Sequence, residues 1–396
     1  MSPPRDRVVE GCNLVGSTAK DRNPLCPTLP VLPDDILVEI LLMLPVRALL
    51  QFKCVCKSWR TLISSPQFAM DNFRQRSSAD RDLTSRLVYY NRLYYHCRVG
   101  FLPLQPLFNS PSATTKVVSF DMGCRVGALV VRGSCNGLVC LHHLRSCCLR
   151  LWNPCTGSAS QWFRIEFNCF TYYGFGYDHV HDKYKLVTVE GQYLTVICTF
   201  GANSSTIGPK FPSPAVGLSG SIGKFVSGTG TLNWMAKLTG SAANERKWVI
   251  LSFDLANETF GQVPLPRLSG GGDNTCDPEL QVLRNCLCFT IDHNNTVFDV
   301  WMMKDYGVTE SWMMISRVKL WRHKYNNPLT PFSISEHDVL LLMLPDRRLV
   351  LHKSDSGLLY FPLIDSSSDA HHFPICSKTN FRIFFLYHDS LVLPPQ

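Results

Sequence analysis

The sequence predicts a multidomain α+β chain in which a small three-helix unit precedes an all-β propeller of about six blades, with five or seven blades as alternatives. Three observations support this prediction. A helical pattern of apolar residues is confined to about 30–76. From about residue 87 onward, short β-branched and aromatic runs alternate with Gly, Asn, Asp and Pro, which is typical of strands and turns. A similar segment also recurs at intervals of about 50 residues.

The composition is that of a globular protein. Of 396 residues, 45% are hydrophobic and 18% are charged, which excludes a mainly disordered chain. No apolar run is long enough for a membrane-spanning helix, and the polar N-terminus lacks the apolar stretch of a secretory signal. We therefore expect a cytoplasmic or nuclear protein with no membrane partner.

The basic residues suggest nucleic-acid binding and the cysteines suggest metal binding. We favour solvation of the basic residues and packing of the cysteines over these two functions. Residues 53–98 hold nine basic and three acidic residues, but no nucleic-acid-binding signature accompanies them, so we predict solvated helix faces and no nucleic-acid partner. The 17 cysteines include C-x-C pairs. On a strand this spacing places two small side chains on one buried face, so we predict packing, with no metal and no cofactor. The residues considered as metal ligands are Cys54, Cys56, Cys286, Cys288, Cys140, His142, His143 and Cys147.

The helical unit has clear start and stop signals. Pro33 and two acidic residues begin a first helix, and Pro45 ends it. A second helix contains Ala48 to Phe52, and a third runs to Ser65-Pro66. The predicted organisation is a flexible leader over 1–29, the helical unit over 30–76, a linker over 77–86 and the β-domain over 87–396.

The repeat in the β-domain is carried by an aromatic or aliphatic residue at the end of a strand, followed by a polar turn. A fainter unit lies near 195–200, and 87–99 supplies one more. The spacing is the length of a four-stranded, kelch-like blade. A two-sheet sandwich of similar strands is the alternative. The clearest units are centred on Trp152, Phe253, Trp301 and Leu351.

The helical unit resembles an F-box. The matching segments are L-P-D-D-I-L-V-E-I-L over 32–41, L-P-V over 44–46 and F-K-C-V-C-K-S-W-R over 52–60. In that family the F-box docks on the small adaptor of SCF (cullin-type) ubiquitin ligases. Independently, three short helices cannot enclose so many apolar residues, which indicates a partner. The resemblance implies that the adaptor-facing residues are Leu32, Pro33, Ile36, Leu37, Leu44, Pro45, Leu49, Val55, Cys56 and Trp59, with Trp59 as the expected hot spot.

The β-domain resembles the F-box-associated domain of large plant families. The matching segments are S-C-N-G-L-V-C-L over 134–141, L-W-N-P-C-T over 151–156, Y-G-F-G-Y-D over 173–178 and V-W-M-M-K-D-Y-G over 300–307. One segment departs from the pattern, since 232–236 reads L-N-W-M-A where the family usually has a Tyr-Trp-Leu-like run. Together the two resemblances imply a substrate-recognition subunit of an SCF ubiquitin ligase, which binds the adaptor, through it the cullin, and an unknown target protein.

Catalytic motifs are weak, so we predict a non-catalytic protein. Gly217 to Lys224 resembles a phosphate-binding loop but lacks its first glycine and its Ser or Thr, and we interpret it as a flexible loop. The polar residues of 178–182 are predicted to form a solvated hairpin turn. The alternatives are a kelch-type propeller enzyme, such as a galactose-oxidase-like or sialidase-like hydrolase, and an F-box scaffold that acts outside ubiquitin transfer.

Target recognition is predicted in the longest polar connections, because the loops of a rigid scaffold carry its binding function. These are 201–214, 269–278 and 321–331. The last holds side-chain types that are common in interfaces, namely Trp321, Arg322, Tyr325 and Asn326.

Overall fold

The computed structural model describes residues 33–79, 85–91, 98–110, 114–123, 129–166, 172–190, 194–212, 216–239, 246–266, 278–293, 296–320, 328–345, 348–354, 358–360, 364–365 and 384–396. The chain divides into two compact units, Met1–Ile40 and Leu41–Gln396. None of the helices in these ranges is long and apolar enough to cross a membrane.

Four helices fill the first described range, one more than the sequence predicted. Ser65-Pro66 was expected to end the third helix, and Ser65 also caps a further helix: its Oγ accepts a hydrogen bond from the Phe68 N–H at 3.2 Å. Pro66 occupies the first helical position, where a missing N–H is tolerated. The helices are α1 (Asp34–Met43), α2 (Val46–Phe52), α3 (Lys57–Ile63) and α4 (Pro66–Ala79).

The helical part of the larger unit has its own small core. Leu41, Leu49 and Ile63 are fully buried. Asn72 of α4 is buried as well, and its Nδ2 donates to the carbonyl oxygen of Leu42 at 2.7 Å. Carbonyls at a helix C-terminus have no partner within the helix, so this one amide satisfies a buried acceptor and joins two helices.

The remaining described chain is almost entirely antiparallel β-structure in consecutive sets of four strands. The first set is β1 (Ser85–Asn91), β2 (Arg98–Pro103), β4 (Val118–Asp121) and β26 (Phe384–His388). The second is β5 (Leu129–Cys135), β6 (Leu138–His143), β7 (Cys148–Trp152) and β8 (Phe163–Arg164). The third is β9 (Tyr172–Asp178), β10 (Lys183–Glu190), β11 (Leu194–Thr199) and β12 (Ser204–Ile207).

The other three sets follow the same pattern. The fourth is β13 (Val216–Val226), β14 (Thr231–Thr239), β15 (Arg246–Asp254) and β16 (Thr259–Val263). The fifth is β17 (Glu279–Leu283), β18 (Cys286–His293), β19 (Val297–Met303) and β20 (Trp312–Lys319). The sixth is β21 (Thr330–Ile334), β22 (Val339–Met343), β23 (Leu349–Lys353) and β24 (Leu358–Tyr360). Smaller elements are α5 (Leu104–Asn109), a 3₁₀ turn (Thr309–Ser311) and the parallel pair β3 (Thr115–Lys116) and β25 (Ile364–Asp365).

The sets form a closed ring. The innermost strands neighbour one another in the order β26, β5, β9, β13, β17, β21 and back to β26. Strands β9 and β13 also pair in parallel at Tyr173 and Ile222, which merges two sets into one eight-stranded sheet beside four four-stranded sheets. A ring of radial sheets is a propeller. The predicted fold class is therefore confirmed, and the two-sheet sandwich is excluded.

The predicted repeat corresponds to the third strand of successive sets. Trp152 lies on β7, Phe253 on β15, Trp301 on β19 and Leu351 on β23, while the fainter unit near 195–200 is β11. Each of these strands leads into a turn toward the fourth strand of its set. In these five sets the recurring sequence pattern therefore marks one structural position. The predicted unit over 87–99 does not match it, since its described residues lie on β1 and at the start of β2.

The first set closes through the C-terminal region, since β26 pairs with β1 and supplies the innermost strand. Asn153 is fully buried and its Nδ2 donates to the carbonyl oxygens of Ser390 at 2.9 Å and Val392 at 2.7 Å. Gly137 has φ +73°, and a Cβ there would lie 2.0 Å from the Ser390 Cβ. The Asn-Pro and Asn-Gly turns of the second set thus hold the segment that completes the ring.

Two segments predicted as loops contribute to the β-structure. Gly217 to Lys224 lies within β13, because its glycines admit neighbouring rings: a Cβ on Gly223 would lie 2.5 Å from the Trp234 ring. Within 201–214, residues 204–207 form β12 and Phe211 is buried in the core. Small and polar residues in these places reflect close packing and a sheet edge rather than mobility.

Candidate functional site

The F-box-like segment exposes large apolar side chains in each of the two units. In the shorter unit, Ile36 is 45% exposed and Ile40 39% exposed. In the larger unit, Met43 is 63% exposed and Val55 61% exposed. Solvent-exposed apolar groups of this size, grouped within one short helical segment, are typical of interaction surfaces.

The residues predicted to face an adaptor fall into four groups. Leu32 lies outside the described residues. Those with exposed side chains are Pro33, Ile36, Pro45, Val55 and Cys56, and those that are half-buried are Leu37, Leu44 and Trp59. Leu49 is fully buried and belongs to the helical core. Met43 and Ile40 were not singled out from the sequence, although both continue the apolar spacing of α1.

Trp59 is fixed by a neighbouring ring. Its side chain packs on Phe52 of α2 with ring centroids 5.4 Å apart. Trp59 therefore presents only part of its surface to solvent, and its other contacts hold α3 against α2. A substitution at Trp59 would disturb this packing as well as any contact with a partner.

The first C-x-C pair is not packed in a sheet. Cys54 and Cys56 are exposed and lie between α2 and α3, so the predicted strand packing is wrong for this pair, because the segment turns between two helices. Hydrogen bonds with the Ser58 hydroxyl and the Trp59 N–H lower the pKa of the Cys56 thiol. By contrast, Cys288 is buried on β18, as predicted.

The cluster around Cys140 and His142 is internal to the second set. Both side chains are buried on β6, while His143 bonds to Ser146 in the following turn. The Nδ1 atom of His142 lies 3.1 Å from the Nε donor of Arg132. Burial and the Arg132 charge lower the pKa of His142 to about 3, so this ring is neutral and accepts a hydrogen bond. No group of three or more potential metal ligands occurs in the described part of the chain.

The predicted hairpin at 178–182 is confirmed and its residues 179–182 are exposed, but the predicted solvation is wrong for Asp178, which is buried because it pairs with a buried lysine. The Nζ of Lys185 lies 2.9 Å from the Asp178 Oδ2 and 2.8 Å from the Glu258 Oε1. Burial raises the pKa of Asp178, but hydrogen bonds from Lys185 and His181 outweigh this effect and hold the pKa below its usual range. This buried cluster connects the third and fourth sets.

The centre of the ring holds a cavity of about 590 Å³. All six innermost strands contribute to its wall, and α4 contributes Met70, Phe73 and Arg74. The Phe73 ring lies 6.4 Å from that of His388, the last residue of β26. We call the end where the innermost strands finish the helix end of the ring, because α4 packs there.

The wall of this cavity is mostly apolar and carries positive charge. Among its described lining residues, four are basic and none is acidic: Arg74, Arg132, Lys224 and Arg284. Arg132 is held by His142 and also lies over the Tyr173 ring, 4.5 Å from the centroid. No sequence pattern indicates this site, because it depends on ring closure, which brings strands together that are distant in sequence.

The residues predicted to bind a target protein, Trp321, Arg322, Tyr325 and Asn326, lie outside the described residues, as does most of 269–278. In the remaining predicted connection, 201–214, residues 202–207 are exposed. The role of these three connections in target binding stays a prediction.

Comparison with known proteins gives the family. A model of the F-box domain matches residues 29–70, and a model of the F-box associated beta propeller domain matches residues 118–393. An F-box/kelch-repeat protein of Arabidopsis thaliana is 32% identical over 368 residues, covering 88% of this chain and 94% of the relative. Two F-box proteins of the same plant are 27% identical over 315 residues, covering 71% of each chain, and 25% identical over 358 residues, covering 84% of this chain and 82% of the relative. The chain therefore belongs to the plant family of F-box proteins that carry an F-box-associated β-propeller.

Proposed function

We propose that this protein is the substrate-recognition subunit of an SCF ubiquitin ligase. In this role the F-box segment docks on the small adaptor that bridges to the cullin scaffold, and the propeller holds a target protein while other subunits transfer ubiquitin. The role needs no catalytic group in this chain. We place it in the cytoplasm, the nucleus or both.

The exposed apolar residues of the F-box segment carry this proposal. Leu41, Leu49 and Ile63 already form a buried core, yet Met43 and Val55 remain mostly exposed. Leaving a side chain of this size in water forgoes about 1.5–3 kcal/mol of burial energy. A partner that covers these residues recovers that energy, and the match to the F-box domain model supports the SCF adaptor as that partner.

The position of α4 supports a model in which the two ends of the ring have different binding functions. Because α4 packs at the helix end, we expect the opposite end of the ring to be the one available to a target. Each innermost strand begins at that opposite end, and the connections from fourth strands to innermost strands arrive there. Two of these connections join Val263 to Glu279 and Lys319 to Thr330. They contain the predicted target-binding segments, so we propose the target protein binds at this end.

The adaptor contact is tested with Val55→Asp. A buried charge at the interface should reduce adaptor affinity by roughly 30-fold or more, equivalent to about 2 kcal/mol. Co-purification of the full-length chain with a recombinant plant adaptor measures the effect. Val180→Asp is the matched control, since Val180 is 71% exposed but lies on the propeller. Equal adaptor recovery from both variants would contradict the proposed docking surface.

Ubiquitin transfer and target binding need their own readouts. The chain should co-precipitate the cullin only when the adaptor is present, and a reconstituted complex should transfer ubiquitin to captured targets. Adaptor binding without cullin recruitment would favour the scaffold alternative. Replacing 321–327 by a Gly-Ser linker should remove targets from proximity labelling while adaptor binding persists. An unchanged set of labelled proteins would move recognition elsewhere on the ring.

A further inference from the structure

The central cavity has the physical character of a small-molecule site. Its volume of about 590 Å³ lies within the range of about 300–1,000 Å³ that is common for ligand pockets. Phe175, Phe225 and Phe332 contribute to an aromatic wall, and a few polar groups interrupt it. Such a wall favours a ligand with an apolar body, and the polar groups fix its orientation.

Three of the four basic side chains at the cavity already interact with protein groups. Arg132 donates to the Nδ1 of His142, and Arg284 donates from Nη2 to the Ser335 carbonyl at 2.6 Å. The Nη1 of Arg74 lies 3.7 Å from the carboxylate of Asp71, which is on the same helix. Their positive charges still contribute to the field in the cavity, but their geometry is set by these contacts.

Lys224 differs from these arginines. It lies on β13, is half-buried and lines the cavity, and its Nζ makes no hydrogen bond or ion pair with any residue that the structure describes. Burial lowers the pKa of Lys224, and the charge of Glu279, which acts through space without a direct ion pair, partly opposes this effect. Burial in turn raises the pKa of Glu279. Enclosed charges normally make direct pairs, and Lys224 makes none with the residues that the structure describes.

We propose that the central cavity binds a small organic anion, with an apolar body against the phenylalanine rings and a carboxylate, phosphate or sulfonate on the Lys224 ammonium. The site goes beyond the proposed ligase role, because neither adaptor docking nor target capture requires a small ligand in the ring. A protein segment is disfavoured as the occupant, because Met70 and Phe73 of α4 bound the cavity at the helix end.

The test uses two dyes that share an apolar body and differ in charge. The anionic probe is 1-anilinonaphthalene-8-sulfonate, and the uncharged probe is N-phenyl-1-naphthylamine. Each is titrated by fluorescence into the folded full-length chain, its Lys224→Met variant and its Lys319→Met variant. Methionine keeps the length of the side chain and removes the charge, and Lys319 is an exposed lysine on β20.

We expect saturable, one-to-one binding of the anionic dye to the unmodified chain. Lys224→Met should weaken that binding at least tenfold and change the affinity for the uncharged dye less than twofold, while Lys319→Met should change neither. The melting temperature of each variant verifies folding. Absence of saturable anion binding, equal anion affinity in the Lys224→Met variant, or equal loss for both dyes would overturn the proposal. Adaptor binding by Lys224→Met separates failure of this site from failure of the proposed function.

Discussion

The F-box segment and the propeller differ in which energetically unfavourable groups they contain, exposed apolar side chains in the first and buried charges in the second. The F-box segment leaves Met43 and Val55 in water and buries little that is polar apart from Asn72. The propeller buries a charged cluster around Lys185 and satisfies it with two carboxylates and a carbonyl. Exposed apolar side chains are removed from water when another molecule binds over them, whereas a buried charge is compensated by groups within the fold. The difference indicates that the first region is built for a partner and the second for rigidity.

The largest expected effect comes from breaking the buried cluster of the propeller. Lys185→Met leaves Asp178 buried without its main counter-charge, and removing one partner of such a pair costs about 3–5 kcal/mol. Urea unfolding of the full chain measures the loss. Lys183→Met, an exposed lysine on the same strand, should change stability by less than about 0.5 kcal/mol. Similar losses from the two variants would show that the cluster is not a stabilising connection.

A somewhat smaller effect is expected at the turn that receives the C-terminal segment. Gly137→Ala places a Cβ where Ser390 already packs and at a φ of +73°, so we expect a loss of about 3 kcal/mol. Gly157→Ala has a similar φ of +72° but no atom within 4 Å of the new Cβ, so backbone strain alone should cost about 1 kcal/mol. The difference in unfolding free energy between the two variants isolates the contact. Equal losses would contradict this account of ring closure.

The F-box segment should respond locally. Asn72→Leu leaves the Leu42 carbonyl without its hydrogen bond and should cost about 1–3 kcal/mol. Hydrogen exchange should become faster in α2 to α4 and remain unchanged in the propeller strands. The exposed Gln67, which bonds only within α4, is the control, and Gln67→Ala should have little effect. Faster exchange throughout the ring would mean that the two regions do not open separately.

The smallest effect concerns acid. Burial raises the pKa of Asp299, but hydrogen bonds from Arg317 and His293 outweigh it and lower the pKa below the usual range. A lowered folded-state pKa stabilises the protein above the unfolded-state value of about 3.9, and this contribution is lost as pH falls through the folded-state pKa. Because Arg317 is half exposed, we expect less than about 1 kcal/mol. We would measure the free energy of unfolding at a series of pH values between about 6 and 2. It should fall less steeply with decreasing pH for Asp299→Asn than for the unmodified chain. An equal slope would show that Asp299 does not contribute to the loss of stability in acid.

The parts of the fold that the sequence predicted are those with local signals. Trp152 and Phe253 mark third strands because each leads directly into a turn, so the repeat is visible in consecutive residues. The fourth helix was missed because its residues are mostly polar, so the capping role of Ser65 was not recognised. Strand β13 was misinterpreted as a loop because the glycine at 223 is required by its close contact with the Trp234 ring. That contact exists only in the folded sheet.

The candidate sites divide in the same way. Val55 and Cys56 were predicted from an F-box motif that is continuous in sequence, and both are exposed. Lys224 was passed over because its significance depends on six strands meeting around one axis. Leu49 shows the opposite error, since an apolar residue in a binding motif can equally be part of the core.

Ring closure by β26 also sets an order of events on the ribosome. The first blade contains β1 and β2 but lacks its innermost strand until residues 384–388 have been synthesised. Contacts within the F-box segment are close in sequence, and local contacts form early. A nascent chain can therefore fold its F-box segment before the ring is complete, and a transcript that stops short of β26 would yield a chain with an F-box segment but without a closed propeller.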